Sequence, residues 1–230
     1  MDISCKIVYQ EGFGEIVEKK SRFLAYIFPV DTEEQALERI AQIRREHYSA
    51  RHNCFAYVIG EKNEIERCSD DGEPSGTAGR PMLEVLTGQG IHNAVAIVTR
   101  YFGGTLLGTG GLVRAYTDAV KAGLLASVLL EQKQGLRLLV STDYNELGKI
   151  QHLMRTEGIL ELDSQYGERV ELLLLIPDEA AEFEAKITEI TAGTADIAWR
   201  ERVSYCLAGR EAVRIRPLLG REDAAMEEKR

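Results

Sequence analysis

A glycine-rich run between a predicted strand and a predicted helix is the segment of this chain best suited to binding chemistry. Residues 103–111 contain five glycines and directly follow the apolar run 94–102. Glycine at this density is expected where a backbone turns sharply or approaches another group closely. A helix start also offers unpaired backbone N–H groups and partial positive charge, which suit a phosphate or another anion.

Arginines flank this run, and two interpretations of them stay open. Arg114 falls in the first turn of the predicted helix, where a cation is unfavourable by about 0.3–1 kcal/mol unless an anion lies nearby. Either the run binds an anion or a partner, or the glycines permit tight packing and Arg114 pairs with Asp118 one turn on. The spacing fits neither G-x-x-x-x-G-K-[ST] nor G-x-G-x-x-G, so a standard P-loop or Rossmann site is excluded.

We predict an arginine- and glycine-rich binding surface in the N-terminal half of the chain. Its guanidinium groups would contact phosphates or carboxylates, Tyr101 would stack on a base, and Arg100→Ala would abolish partner binding with little loss of stability. The candidate residues are Arg51, Arg80, Arg100, Tyr101, Gly103, Gly104, Gly108, Thr109, Gly110, Gly111 and Arg114.

An acidic loop at residues 69–80 is a second candidate site, with Asp70, Asp71, Glu73, Ser75 and Thr77 as its candidate residues. Three readings stay open: a rigid loop whose acids cap turns and pair with Arg80, a surface that recognises a macromolecule, or a site of metal or nucleophile chemistry. The EF-hand register D-x-D-x-D-G is missing, so an EF-hand is excluded.

The cysteines and histidines do not form a recognisable metal motif. The chain has four cysteines and no C-x-x-C pair, which favours reduced thiols over a disulfide framework. His52 and Cys54 would share one side of a strand, but their spacing matches no standard zinc site. We therefore predict no resident metal, no cofactor and no catalytic residue.

Composition favours a globular protein without a membrane segment. The chain has 230 residues, 44% of them hydrophobic and 28% charged, and its apolar runs fall far short of the roughly 20 residues of a membrane helix. The N-terminus shows no signal-peptide pattern, so we expect a cytoplasmic protein. The net charge of −9 disfavours nonspecific binding to nucleic acid, although a local cationic patch stays compatible with it.

Periodicity predicts an α+β protein of two domains followed by an extension. The first domain covers residues 1–130, and the polar segment 131–135 is predicted as a linker. Residues 135–206 show the order β-α-β-β-α-β, which is typical of a ferredoxin-like domain. Residues 207–230 form a C-terminal extension whose charged end is expected to fray.

Three separated motifs, at residues 51–57, 70–81 and 98–108, resemble the IMPACT family, and in particular its bacterial, two-domain YigZ-like branch. The resemblance implies that the first domain has the fold of the second domain of ribosomal protein S5. It also implies a role in translation, because eukaryotic relatives regulate translation during amino-acid starvation. The expected partner is the ribosome, RNA or a translation-associated protein, with a small anion or phosphate as a further ligand.

An enzyme is the alternative that the resemblance leaves open. The S5-like fold also serves small-molecule kinases, which hold phosphate on a glycine-rich helix start, so fold analogy does not decide between the two functions. A phosphoryl-transfer or hydrolytic enzyme would use the glycine run as its anion cradle. Asp70, Asp71 or Glu73 would then hold Mg²⁺ or act as the base.

Overall fold

The α+β chain divides into two units, Met1–Glu131 and Gln132–Arg230, in the computed structural model. The structure describes residues 5–180 and 182–218. No helix in this part of the chain is long and apolar enough to cross a membrane. The end predicted to fray, from residue 219 onward, lies outside the described residues.

The first unit contains strands and helices that largely follow the predicted periodicity. In chain order they are β1 (Lys6–Gln10), β2 (Gly12–Glu18), β3 (Ser21–Pro29), α1 (Glu33–Glu46), β4 (His52–Ile59), β5 (Ile65–Ser69), α2 (Gly79–Gly88), β6 (Ile91–His92), β7 (Ala94–Tyr101), α3 (Gly108–Leu125) and the beginning of β8 (Val128–Thr142). A small ribbon pairs β1 in parallel with β6 and antiparallel with the first residues of β8.

An antiparallel five-stranded sheet forms the centre of this unit, in the order β2-β3-β7-β4-β5. Successive strand residues alternate between the two faces, so Ala96 and Ile97 belong to different apolar clusters. Helices α2 and α3 cover one face, and α1 covers part of the other. The centrally placed strand β7 thereby delivers its end, at Arg100 and Tyr101, to the edge where α3 begins.

The second unit shows the predicted order of elements, with one strand more. After β8 come α4 (Tyr144–Glu157), β9 (Leu160–Tyr166), β10 (Val170–Pro177), α5 (Phe183–Ile190), β11 (Asp196–Ala208) and β12 (Glu211–Pro217). The strands pair antiparallel in the order β9-β10-β8-β11-β12. Two predicted segments differ: residues 131–135 lie in β8 rather than in a linker, and residues 207–217 are largely strand.

Candidate functional site

A cavity of about 520 Å³ lies in the first unit, where β7 ends and α3 begins. The segment that leads into β4 forms another part of its wall. The predicted site residues that line the cavity are Arg51, Glu73, Arg100, Tyr101, Gly108 and Thr109. The structure therefore brings part of the arginine- and glycine-rich surface together with one acid of the loop. Apolar side chains of Phe102, Leu106 and Leu112 complete the wall.

Three of the five glycines are explained by backbone geometry. A Cβ on Gly103 would lie 2.0 Å from the carbonyl carbon of Lys20, and the Gly103 N–H donates to Ser21 Oγ at 3.1 Å. Gly104 and Gly108 have φ values of +87° and +70°, which side-chain-bearing residues rarely adopt. These three glycines thus shape the connection between β7 and α3, whether or not a ligand binds.

Gly110 has no such explanation. A Cβ there would meet no atom within 4 Å, and its φ is not positive, whereas one on Gly111 would lie 3.1 Å from Leu107 Cβ. Leu107 supplies no side-chain hydrogen bond to the start of α3. The first turn of α3 therefore presents N–H groups and an open glycine surface, the arrangement that an anion or a closely approaching backbone would use.

Arg100 is buried, unlike the freely exposed arginine that the sequence predicts. Its Nη1 donates to Glu73 Oε1 at 2.7 Å, and the two side chains are only 7% and 3% exposed. The guanidinium also lies 5.4 Å from the ring centre of Phe23 and 5.6 Å from that of Phe102. The expectation that Arg100→Ala costs little stability disagrees with this burial, because the variant would leave a buried carboxylate without its counter-ion.

A buried hydrogen-bonded chain continues from Glu73 into the core. Tyr116 donates from its hydroxyl to Glu73 Oε1 at 2.9 Å, and Cys54 Sγ lies 3.3 Å from the same hydroxyl. Burial raises the pKa of the Cys54 thiol to about 12 and also raises the pKa of Tyr116. Cys54 is therefore a neutral, fully buried thiol at physiological pH, and thiolate chemistry at this position is excluded.

The carboxylates of Asp70 and Asp71 hold the acidic loop in place. Asp70 accepts hydrogen bonds from the backbone N–H groups of Gly76, Ala78 and Gly79 at 2.8–2.9 Å. Its carboxylate therefore caps the N-terminus of α2, although Asp70 does not belong to that helix. Burial raises the pKa of Asp70, but these three donors outweigh it and the net pKa is lowered. Asp71 accepts from the Asn53 N–H at 2.7 Å and pairs with Arg44 at 2.8 Å.

The remaining loop residues do not face the cavity wall. Thr77 is 3% exposed and donates to the Pro74 carbonyl at 2.6 Å, whereas Ser75 is exposed. Arg80 pairs with Glu84 at 3.0 Å and not with the loop acids, contrary to one of the three readings of the loop. Both carboxylate oxygens of Asp70 and of Asp71 accept hydrogen bonds of the fold, whereas Glu73 is paired with Arg100 and Tyr116 through Oε1 alone.

Of the predicted arginines, Arg51 and Arg114 remain available to bind a partner. Both are exposed, and neither forms an ion pair within the described part of the chain. The alternative pairing of Arg114 with Asp118 is thus not formed. Arg51 lines the cavity, and Arg114 lies on the first turns of α3. Their positions favour contact with an anionic partner.

Two histidines outside the predicted set of site residues, His47 and His52, form hydrogen bonds at the site. His52 lines the cavity, and its Nδ1 lies 3.0 Å from the Asp71 carbonyl, so Nδ1 carries the proton and Nε2 is an acceptor in the neutral ring. His47 bridges the hydroxyls of Tyr26 and Tyr101, at 2.7 and 2.9 Å. Tyr101 is therefore held by its hydroxyl rather than free to turn toward a base.

Two protein-family models match this chain. The Impact N-terminal domain model matches residues 19–124, which include all the cavity residues, and a domain of unknown function, DUF1949, matches residues 140–194. These two models correspond to a two-domain architecture whose first domain holds the glycine-rich helix start and the buried Arg100–Glu73 pair. The chain belongs to the IMPACT family.

Bacterial relatives match about four fifths of the chain. IMPACT family member YvyE of Bacillus subtilis is 45% identical over 83% of this chain and 88% of its own length. IMPACT family member YigZ of Escherichia coli is 37% identical over 78% of this chain and 89% of its own length. Protein IMPACT of Mus musculus is 33% identical, over 40% of this chain and 30% of that protein. A crystal structure described as a hypothetical protein has a TM-score of 0.54 and 34% identity, covering 86% of this chain and 97% of that one.

Proposed function

We propose that this protein is a non-enzymatic binding protein of the cytoplasm that regulates translation by contacting the ribosome, through its RNA, with the first unit. The observation that carries the proposal is the start of α3, which has no side-chain cap, beside Arg51 and Arg114, two exposed arginines that form no ion pair with any described residue. Guanidinium groups and helix N-termini both bind phosphate, through paired N–H donors and positive charge. A translation-associated protein is the alternative partner.

The fold assignments implied by sequence belong to the same proposal. The strands pair antiparallel in the order β9-β10-β8-β11. Helix α4 connects β8 to β9, and helix α5 lies between β10 and β11 in the chain. This arrangement supports a ferredoxin-like second unit. For the first unit we propose the S5 domain 2-like fold. That fold would link the chain to ribosomal and elongation-factor domains, but it does not by itself define a function.

Co-sedimentation with ribosomes tests the proposed function. We expect the full chain to pellet with ribosomes at low salt and less at moderate salt, because phosphate contacts weaken steeply as salt rises. Arg51→Ala and Arg114→Ala should each lower the bound fraction. Lys121→Ala is the matched control, since Lys121 is exposed on the same helix two turns beyond Arg114. Equal binding by all three variants, or no binding at any salt, would contradict the proposal.

A further inference from the structure

The floor of the cavity carries a buried donor and a buried acceptor with unused hydrogen-bonding capacity. Glu73 Oε1 accepts from both Arg100 and Tyr116, whereas Oε2 has no partner in the described part of the chain. Arg100 uses Nη1 for this pair, and its buried Nε has no hydrogen-bond partner in the described part of the chain. Both side chains are more than nine-tenths buried and line the cavity. A rigid pair of this kind constitutes a built site rather than a mobile surface charge.

The chemistry of this pair discriminates between ligands. A phosphate or carboxylate at the floor would gain Arg100 but would meet the Glu73 carboxylate, and like charges at short range repel. A neutral group with an acceptor next to a donor can satisfy both residues at once. Edges of nucleobases have this pattern, and arginine and glutamate are the side chains that pair with their carbonyl and amino groups.

The walls of the cavity suit a flat heterocycle. Phe102 and Leu106 line the cavity although they are 55% and 83% exposed, so large apolar surfaces stand open at its mouth. Tyr101 and Leu112 contribute further apolar wall. Proteins that bind an unstacked base enclose it between aromatic and apolar side chains and read its edge with hydrogen bonds. The volume of about 520 Å³ lies within the usual range of small-ligand sites.

The cationic groups that no carboxylate of a described residue neutralises are located at the mouth, whereas the Arg100 cation at the floor is paired with Glu73. Arg51 is exposed and lines the cavity, and Thr109 places the first turn of α3 at the same rim. These groups can receive a phosphate without bringing it against Glu73. The cavity is thus polar and net neutral inside, apolar along its walls and cationic at the rim, which is the sequence of properties along a nucleotide from base to phosphate.

We infer that the cavity binds a single nucleotide unit, with the base against Arg100 and Glu73 and the phosphate at Arg51 and the start of α3. The inference rests on the proposed function in that it names the group of an RNA partner which enters the first unit. The nucleotide has two possible sources, an unpaired residue of RNA or a free mononucleotide. Their shared chemistry is the base with its 5′-phosphate.

Calorimetric titration of the full chain tests this inference with four ribonucleoside 5′-monophosphates, ribose 5-phosphate and inorganic phosphate. We expect at least one monophosphate to bind tenfold or more tightly than ribose 5-phosphate and inorganic phosphate, because the base supplies the contacts at the floor. Short single-stranded RNAs of each base distinguish the sources. Tighter binding of an oligomer than of its monophosphate identifies RNA, and the reverse identifies the free nucleotide. Binding of every nucleotide no more tightly than of ribose 5-phosphate would overturn the inference.

Variants at the exposed rim keep this test independent of folding. Leu106→Glu places a carboxylate at the mouth, where the side chain is 83% exposed, and should weaken nucleotide binding tenfold or more. Leu125→Glu is the control, because Leu125 is 90% exposed and lies at the other end of α3. Equal losses in both variants would overturn the inference. Ribosome co-sedimentation in parallel separates the proposals: ribosome binding without nucleotide binding defeats this inference alone, and nucleotide binding without ribosome binding defeats the proposed function alone.

Discussion

Arg100 and Glu73 form a buried ion pair at 2.7 Å across 27 residues of sequence, and this pair fixes the acidic loop against the end of β7. Glu73 also accepts from Tyr116 of α3, so one carboxylate oxygen connects the loop, the central sheet and the helix that begins at the cavity. The position of these three elements around the cavity therefore depends on a charge pair in the interior rather than on surface contacts.

Arg100→Ala should strongly destabilise the first unit. The variant leaves the Glu73 carboxylate buried without a counter-ion, and breaking a buried pair in this way costs about 3–5 kcal/mol. The free energy of unfolding, from urea denaturation followed by circular dichroism, measures the loss. The double variant Arg100→Met/Glu73→Gln removes both charges and should recover a large part of it. An unfolding midpoint for Arg100→Ala equal to that of the wild type would show that the pair contributes nothing.

The lowered pKa of Asp70 predicts a pH-dependent contribution to stability. Burial opposes ionisation, but the N–H groups of Gly76, Ala78 and Gly79 outweigh it, so the folded state binds a proton at Asp70 less readily than the unfolded state. The contribution is therefore fully present above the unfolded pKa of about 3.9. It is lost as the pH falls through the lower, folded pKa.

Asp70→Asn isolates that contribution. The amide can replace the carboxylate only in part, and we expect a cost of about 1–2 kcal/mol at pH 7, typical of a lost helix cap. Urea denaturation from pH 7 to pH 2 should show the difference from wild type shrinking in the acid range. Asp118→Asn, which changes an exposed carboxylate on α3, should not show this trend. A difference that stays constant with pH would refute the assignment.

Two glycines of the same run should respond oppositely to alanine. Gly103→Ala places a Cβ 2.0 Å from the Lys20 carbonyl carbon and should destabilise the unit, because that neighbour is backbone. Gly110→Ala meets open space within a helix, and helix propensity favours alanine there by about 0.5–1 kcal/mol. Thermal unfolding measures both effects. If Gly110 serves close approach by a partner, the same stabilised variant should lose ribosome binding, whereas unchanged binding would assign Gly110 no functional role.

Much of the fold was predictable because the apolar periodicity is strong. The run 94–102 became β7, and the two consecutive strands in the predicted β-α-β-β-α-β order became β9 and β10. The polar segment 131–135 was misjudged as a linker, because residues 131–134 of the strand are exposed or half-buried and therefore carry no apolar alternation. Gly135 is needed there for close packing, since a Cβ would lie 2.6 Å from the Ile176 carbonyl oxygen.

The region of the candidate site could be proposed from the sequence, but its electrostatics could not. Glycine density and the arginines identified the region where β7 meets α3. The burial of Arg100 could not be predicted, because its partner Glu73 belongs to a loop placed by tertiary contacts. No sequence signal connects the hydroxyl of Tyr116, on α3, with Glu73. A paired arginine and a free arginine are identical in sequence, so Arg51 and Arg100 could not be told apart.

The salt dependence of ribosome binding should measure how many phosphate contacts Arg51 and Arg114 make. If Arg51 and Arg114 each contact a phosphate, the logarithm of the binding constant falls linearly with the logarithm of salt concentration, and each lost contact reduces that slope by about 0.7–1. The double variant Arg51→Ala/Arg114→Ala should therefore bind more weakly and with a slope lower by about 1.4–2. Lys121→Ala removes the same kind of charge from α3 and should leave the slope unchanged. A slope near zero in the wild type would instead indicate a protein partner, since such an interface lacks the counterions that phosphate binding releases.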